Sequence, residues 1–66
     1  MNDKIRELKN DLQIESGIRP AYLDDLIAYI LNNVDISTRE DIPHIFGSGT
    51  PAQNIFSGII AELLKI

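Results

Sequence analysis

Apolar residues recur at helical spacing in four segments of the chain. These are divided by Gly17 with Pro20, Pro43 with Gly47, and Gly49 with Pro51. In the first, over about residues 3–15, Ile5, Leu8 and Leu12 fall at i, i+3 and i+7. They form a narrow stripe on a surface otherwise covered by Asp, Glu, Lys and Arg. Asp3 or Asn2 suits the N-cap, and Gly17 suits the left-handed residue that closes such a helix. The second segment opens at Pro20, whose fixed φ matches the first helical turn, and runs to about Asn33. Leu23, Ile27, Ile30 and Val34 share one face, and Tyr22, Leu26 and Tyr29 widen it. Only Asp24, Asp25, Ala28 and Asn32 are left for water.

The third segment is short. Ser37-Thr38-Arg39-Glu40 has the Ser-x-x-Glu capping pattern ahead of Ile42, Ile45 and Phe46, which predicts a brief helix or turn closed by Gly47. Pro43 lacks an amide donor and is awkward beyond a first turn; if a helix here starts instead at Asp41, Pro43 falls in its first turn and is tolerated. The fourth segment is the most regular. Thr50-Pro51-Ala52-Gln53 supplies a cap, a first-turn proline and a Gln three residues after the cap. Behind it, Ile55, Phe56, Ile59, Ile60, Leu63 and Leu64 make a continuous stripe to the end of the chain, interrupted in composition only by Gly58. No segment alternates with period two, so no strand is predicted. The fold class is all-α: one domain over residues 1–66, a small bundle of three longer helices plus one short helix or turn.

Length makes this picture less self-sufficient. A chain of 66 residues buries only about 60% of its extended surface, and its own core is marginal. The second and fourth helices carry more large apolar side chains than two thin neighbours cover. A homodimer is therefore expected, with Leu26, Ile55, Phe56, Ile59, Ile60 and Leu63 at the interface. Tyr22 and Tyr29, seven residues apart on one flank with Asp24 and Asp25 beside them, are the expected contact residues for another protein. Tyrosine combines a large apolar body with a wet hydroxyl and is enriched at interface centres.

Composition removes several function classes. The absence of cysteine excludes disulfides, thiolate metal sites and thiol catalysis. Six Lys and Arg against ten Asp and Glu leave a net charge of −4, unlike a protein that neutralises many phosphates. Asp3, Glu7, Asp11 and Glu15 recur every fourth residue as an acidic ridge, partly offset by Lys4, Arg6 and Lys9. The ridge reads as a solvated face, with a docking stripe for a basic partner as the alternative. The first 15 residues are charged throughout, and the longest apolar run is Leu26 to Leu31. Neither a secretory signal nor a membrane span is expected, and the cytoplasm is the default compartment.

Catalytic chemistry is sparsely supplied. His44 is the only histidine, and a triad of Ser48 or Ser37 with His44 and Asp41 has no elbow signature to fix its geometry. Asp24 and Asp25 are adjacent and point about 100° apart on a helix, which separates them for shared proton transfer. No Asp-x-Asp-x-Asp loop and no second histidine suggest a metal site. Gly47-Ser48-Gly49-Thr50 ahead of a helix has the form of a phosphate cradle but lacks the Walker lysine. A helix stop, a joint and a helix start account for it.

Residues 38–64 resemble a helix-turn-helix: a short helix ending Ile45-Phe46-Gly47, then a Thr50-capped helix offering Gln53, Asn54 and Ser57 on its first turns. The segment departs from that pattern at Pro43, where a small residue usually lets the helices cross. It also has no Arg or Lys before Lys65 in the helix that would read bases. The primary expectation is a regulatory or inhibitory adaptor, not an enzyme, acting through contact with a larger protein. The alternative is a helix-turn-helix-like DNA-binding regulator. No cofactor is expected.

Overall fold

The computed structural model describes residues 3–65. Asn2, the alternative first cap, and the final residue of the chain lie outside that range. Three helices of equal length, α1 (Asp3–Ser16), α2 (Pro20–Asn33) and α3 (Pro51–Leu64), are joined by a three-residue turn and by a long connection. That connection contains one 3-10 turn (Arg39–Asp41). The described residues contain no strand.

Local chemistry explains each boundary. Gly17 takes a φ of +73° and its amide bonds the Gln13 carbonyl at 2.8 Å, so α1 ends in the left-handed closure that glycine adopts without strain. Three residues later Pro20 starts α2 from an extended Arg19 (φ −75°, ψ 144°). Thr50 caps α3 as its spacing predicts, accepting the Gln53 amide on Oγ1 at 3.1 Å.

The connection differs from expectation in two ways. The capping residue is Thr38 and its partner is Asp41, one position later than the Ser37–Glu40 pair. The shorter carboxylate meets the Thr38 amide (3.1 Å) inside a turn of only three residues, and it also accepts the Ser37 hydroxyl at 2.6 Å. No helix begins at Asp41 either. Ile42 is extended (φ −68°, ψ 127°), the conformation that a following proline imposes, so the turn stops before Pro43.

The core draws on every element: Ile5 and Leu12 of α1; Leu23, Ile27 and Ile30 of α2; Ile42; and Phe56, Ile59 and Ile60 of α3. Phe46 from the connection packs on Phe56 with ring centroids 5.2 Å apart and planes tilted by 59°, a favoured aromatic geometry. The radius of gyration is 10.8 Å, against about 11 Å for a folded domain of this length. One copy therefore closes its own core.

That closure corrects the expected dimer interface. Phe56, Ile59 and Ile60 are fully buried within a single chain and present nothing to a second copy. α3 is covered by α1 and by the 34–50 connection, whose Ile36, Ile42 and Phe46 join the core. The sequence stripe counted the helices as covers and left the connection out. Of the six residues, Leu26, Ile55 and Leu63 remain half-buried.

α1 and α3 form the most intimate helix pair. They run antiparallel: Lys4 Nζ lies 4.0 Å from Glu62 Oε1, and Leu8 Cδ1 lies 3.7 Å from where a Cβ would stand on Gly58. No described helix is long and apolar enough to cross a membrane.

Candidate functional site

The groups proposed for chemistry are separated or already engaged. Asp41 Oδ2 accepts the Ser37 hydroxyl, the Thr38 amide and the Thr38 hydroxyl at 2.6, 3.1 and 3.1 Å. The Ser37 hydroxyl, followed by the two Thr38 donors, holds this carboxyl below the usual aspartate range. Ser37 thus donates to Asp41 directly, with no intervening imidazole, and the pair braces a turn. Among the described residues no three His, Asp or Glu side chains converge as a metal-binding group.

Gln53, offered by the sequence as a base-reading residue, is 3% exposed. Its Nε2 donates to the Pro43 carbonyl at 2.9 Å and approaches Ser57 Oγ at 3.2 Å, while its Oε1 accepts the Phe46 amide at 3.0 Å. Its amide is consumed in holding the 42–50 connection against α3. It also does not complete the predicted capping box, because its oxygen goes to Phe46 and not to the Thr50 amide. Residues 38–64 contain one 3-10 turn and one helix, not two helices about a tight turn. Gly47 (φ +103°) and Gly49 (φ +76°) shape the joint before Thr50.

Two surfaces remain. The first is the outer flank of α2. At about 100° per residue, Tyr22, Leu26 and Tyr29 follow at spacings of four and three and so share a stripe beside the buried Leu23–Ile27–Ile30 line. Tyr22 is 65% and Tyr29 60% exposed, with half-buried Leu26 between them. Tyr22, Asp25 and Leu26 line a shallow hollow of about 230 Å³. Asp24 does not belong with them. It projects roughly 100° to the other side of the buried line, where Lys9 Nζ of α1 holds its Oδ1 at 2.9 Å. The four residues grouped in the sequence therefore divide into a tyrosine stripe with Asp25 and a separate α1–α2 ion pair.

The second surface escapes a sequence reading. A groove of about 350 Å³ runs over α3, walled by Lys4 and Leu8 of α1 on one side and by Arg39 on the other. Gly58 lies on its floor, and Glu62 and Lys65 stand at one end. The Arg39 guanidinium passes over Gly58, 3.9 Å from where its Cβ would be, and donates to the Asn54 carbonyl at 3.1 Å. Glu62 is shared between Lys4 (4.0 Å) and Lys65 (3.2 Å). Half of the chain's six cations thus line one groove with one of its ten acids. The only advance signal is Gly58, a glycine placed inside an otherwise strongly periodic helix. Ile55, expected at a dimer contact, also lines this groove.

No protein-family model matches this chain, and neither the curated proteins nor the solved structures contain a match.

Proposed function

We propose that this chain is a small cytoplasmic adaptor of regulatory or inhibitory type, working as a homodimer, that docks a larger protein through the outer flank of α2. The supporting observation is the pair of exposed tyrosines bracketing Leu26, on a helix whose adjacent face is sealed into the core. Large amphipathic side chains presented on a rigid helix, with an apolar residue between them and one acid alongside, are suited to anchoring a partner at little entropic cost. The reading favours a binding module over an enzyme, since Ser37, Asp41 and Gln53 all serve the backbone of the connection. A DNA-reading role for α3 gains nothing from its first turns, where Gln53 is buried.

The experiment is affinity purification from the native cell extract with wild type beside a Tyr22→Ala/Tyr29→Ala variant and an Asp25→Lys variant. A protein retained in stoichiometric amount by wild type should be lost with the tyrosine variant and depleted with Asp25→Lys. Helicity and melting temperature should stay at wild-type values. Equal recovery by all three would remove α2 from the docking site.

A further inference from the structure

Charge on α1 is polarised along one line of the helix. A spacing of four advances a side chain by roughly 40° beyond a full turn. The ridge Asp3, Glu7, Asp11, Glu15 therefore winds around the helix instead of running straight. Its last two members come round to the flank already occupied by Lys4 and Leu8, because Lys4, Leu8, Asp11 and Glu15 succeed one another at four, three and four residues. This flank borders the groove over α3, whose lining carries Lys4, Arg39 and Lys65 against Glu62. Along one line α1 is thus basic at its N-terminal end, apolar at Leu8 and acidic at its C-terminal end. Lys4 and Lys65 both extend into solvent, with side chains 66% and 70% exposed; Asp11 and Glu15 are exposed as well.

A line with that polarity is complementary to itself when reversed. Lys4 lies four residues before Leu8 and Asp11 three residues after it, about 6 and 4.5 Å along the axis at 1.5 Å per residue. We propose that a second copy of this chain occupies the groove about a two-fold axis near Leu8, with the two α1 helices antiparallel. Lys4 of one protomer then meets the partner's Asp11, and the partner's Glu15 reaches Lys65 at the end of the groove. Each contact occurs twice, as an isologous interface requires. The tyrosine stripes remain outside this interface. Asp24, on the opposite flank of α2 from the tyrosines, is the group tied to α1. Two adaptors would therefore present two docking stripes, with the gain in avidity that bivalency brings.

This inference rests on the homodimer proposed above, and the test separates the two. Sedimentation equilibrium on the full chain, from micromolar to millimolar, measures the dimer constant for wild type, Lys4→Glu, Asp11→Lys and the double variant Lys4→Glu/Asp11→Lys. Each single reversal turns two attractions into repulsions and should raise Kd at least about tenfold. The double variant restores opposite charges across the axis and should return Kd to within about threefold of wild type. Circular dichroism should show unchanged helicity in all four. A wild type that stays monomeric at millimolar concentration overturns the dimer and this interface together. A wild-type dimer that either reversal leaves intact, or that the double variant fails to restore, overturns the interface alone.

Discussion

Gln53, 97% buried, accepts the backbone amide of Phe46 on its side-chain oxygen at 3.0 Å. The same carboxamide donates to the Pro43 carbonyl, so one side chain of α3 closes the backbone on both sides of the Ile45 bend. A connection of this length, with one short turn of its own, has few ladders for its polar groups, and each buried one needs a partner.

Gln53→Leu keeps the volume and leaves the Phe46 amide and the Pro43 carbonyl without partners. It should lower stability by about 2–3 kcal/mol in urea denaturation, the usual result of orphaning buried polar groups. Asn54→Leu, one residue on and exposed, should stay within about 0.5 kcal/mol of wild type. Equal effects of the two substitutions would show that the carboxamide bridge carries no load.

The glycines on either side of this bridge should respond oppositely to alanine. A Cβ at Gly58 would sit 3.7 Å from Leu8 and 3.9 Å from Arg39, ordinary contact distances. Gly58→Ala should stabilise by about 0.5–1 kcal/mol through helix propensity. At Gly47 the φ of +103° is unfavourable for any side chain, and a Cβ would stand 3.0 Å from Thr50 Cγ2. Gly47→Ala should destabilise by more than about 1 kcal/mol. Thermal melts of both variants settle the contrast.

Assignment of Phe56 to the core and Tyr29 to the surface has its own measurable signature. Phe56→Ala should cost about 3–5 kcal/mol at any protein concentration, as buried phenylalanines do. Tyr29→Ala, at a position 60% exposed, should change stability by no more than about 0.5 kcal/mol. A loss at Phe56 that shrank as protein concentration fell would return that residue to a dimer contact.

The Ser37–Asp41 turn should loosen in acid. The Ser37 hydroxyl and the two Thr38 donors depress the Asp41 pKa in the folded state. Its stabilisation is therefore complete above the unfolded value, about 3.9, and is lost as pH falls through the lower folded value. The Thr38 amide resonance, which reports its bond to Oδ2, should titrate with a midpoint below about 3.9, and Asp41→Asn should abolish the transition. A midpoint above that value would contradict the bonded geometry.

Much of this architecture was legible locally. Gly17, Pro20, Thr50 and Pro51 act through their own φ preferences and nearest amides, and they set three helix boundaries where spacing alone places them. The tyrosine flank was legible too, because seven residues on one helix keep their relative direction whatever the helix packs against. At the Thr38–Asp41 turn two overlapping capping patterns, one residue apart, compete, and spacing alone does not choose between them. Adjacency in sequence sets Asp24 beside the tyrosine pair but says nothing of which flank a neighbouring helix covers.

By itself the sequence determined the all-helical class, the extent of the long helices and the amphipathic line of each, since periodicity, capping and backbone restriction are interactions among residues a few positions apart. Tertiary structure decided which lines are sealed. It enclosed Phe56, Ile59 and Ile60 in a single copy by folding residues 34–50 over α3. It also drew Lys4, Arg39 and Lys65 from three distant segments onto one groove. Burial and electrostatic convergence depend on distances across the fold, and these are fixed only when the connection docks and α1 closes on Gly58.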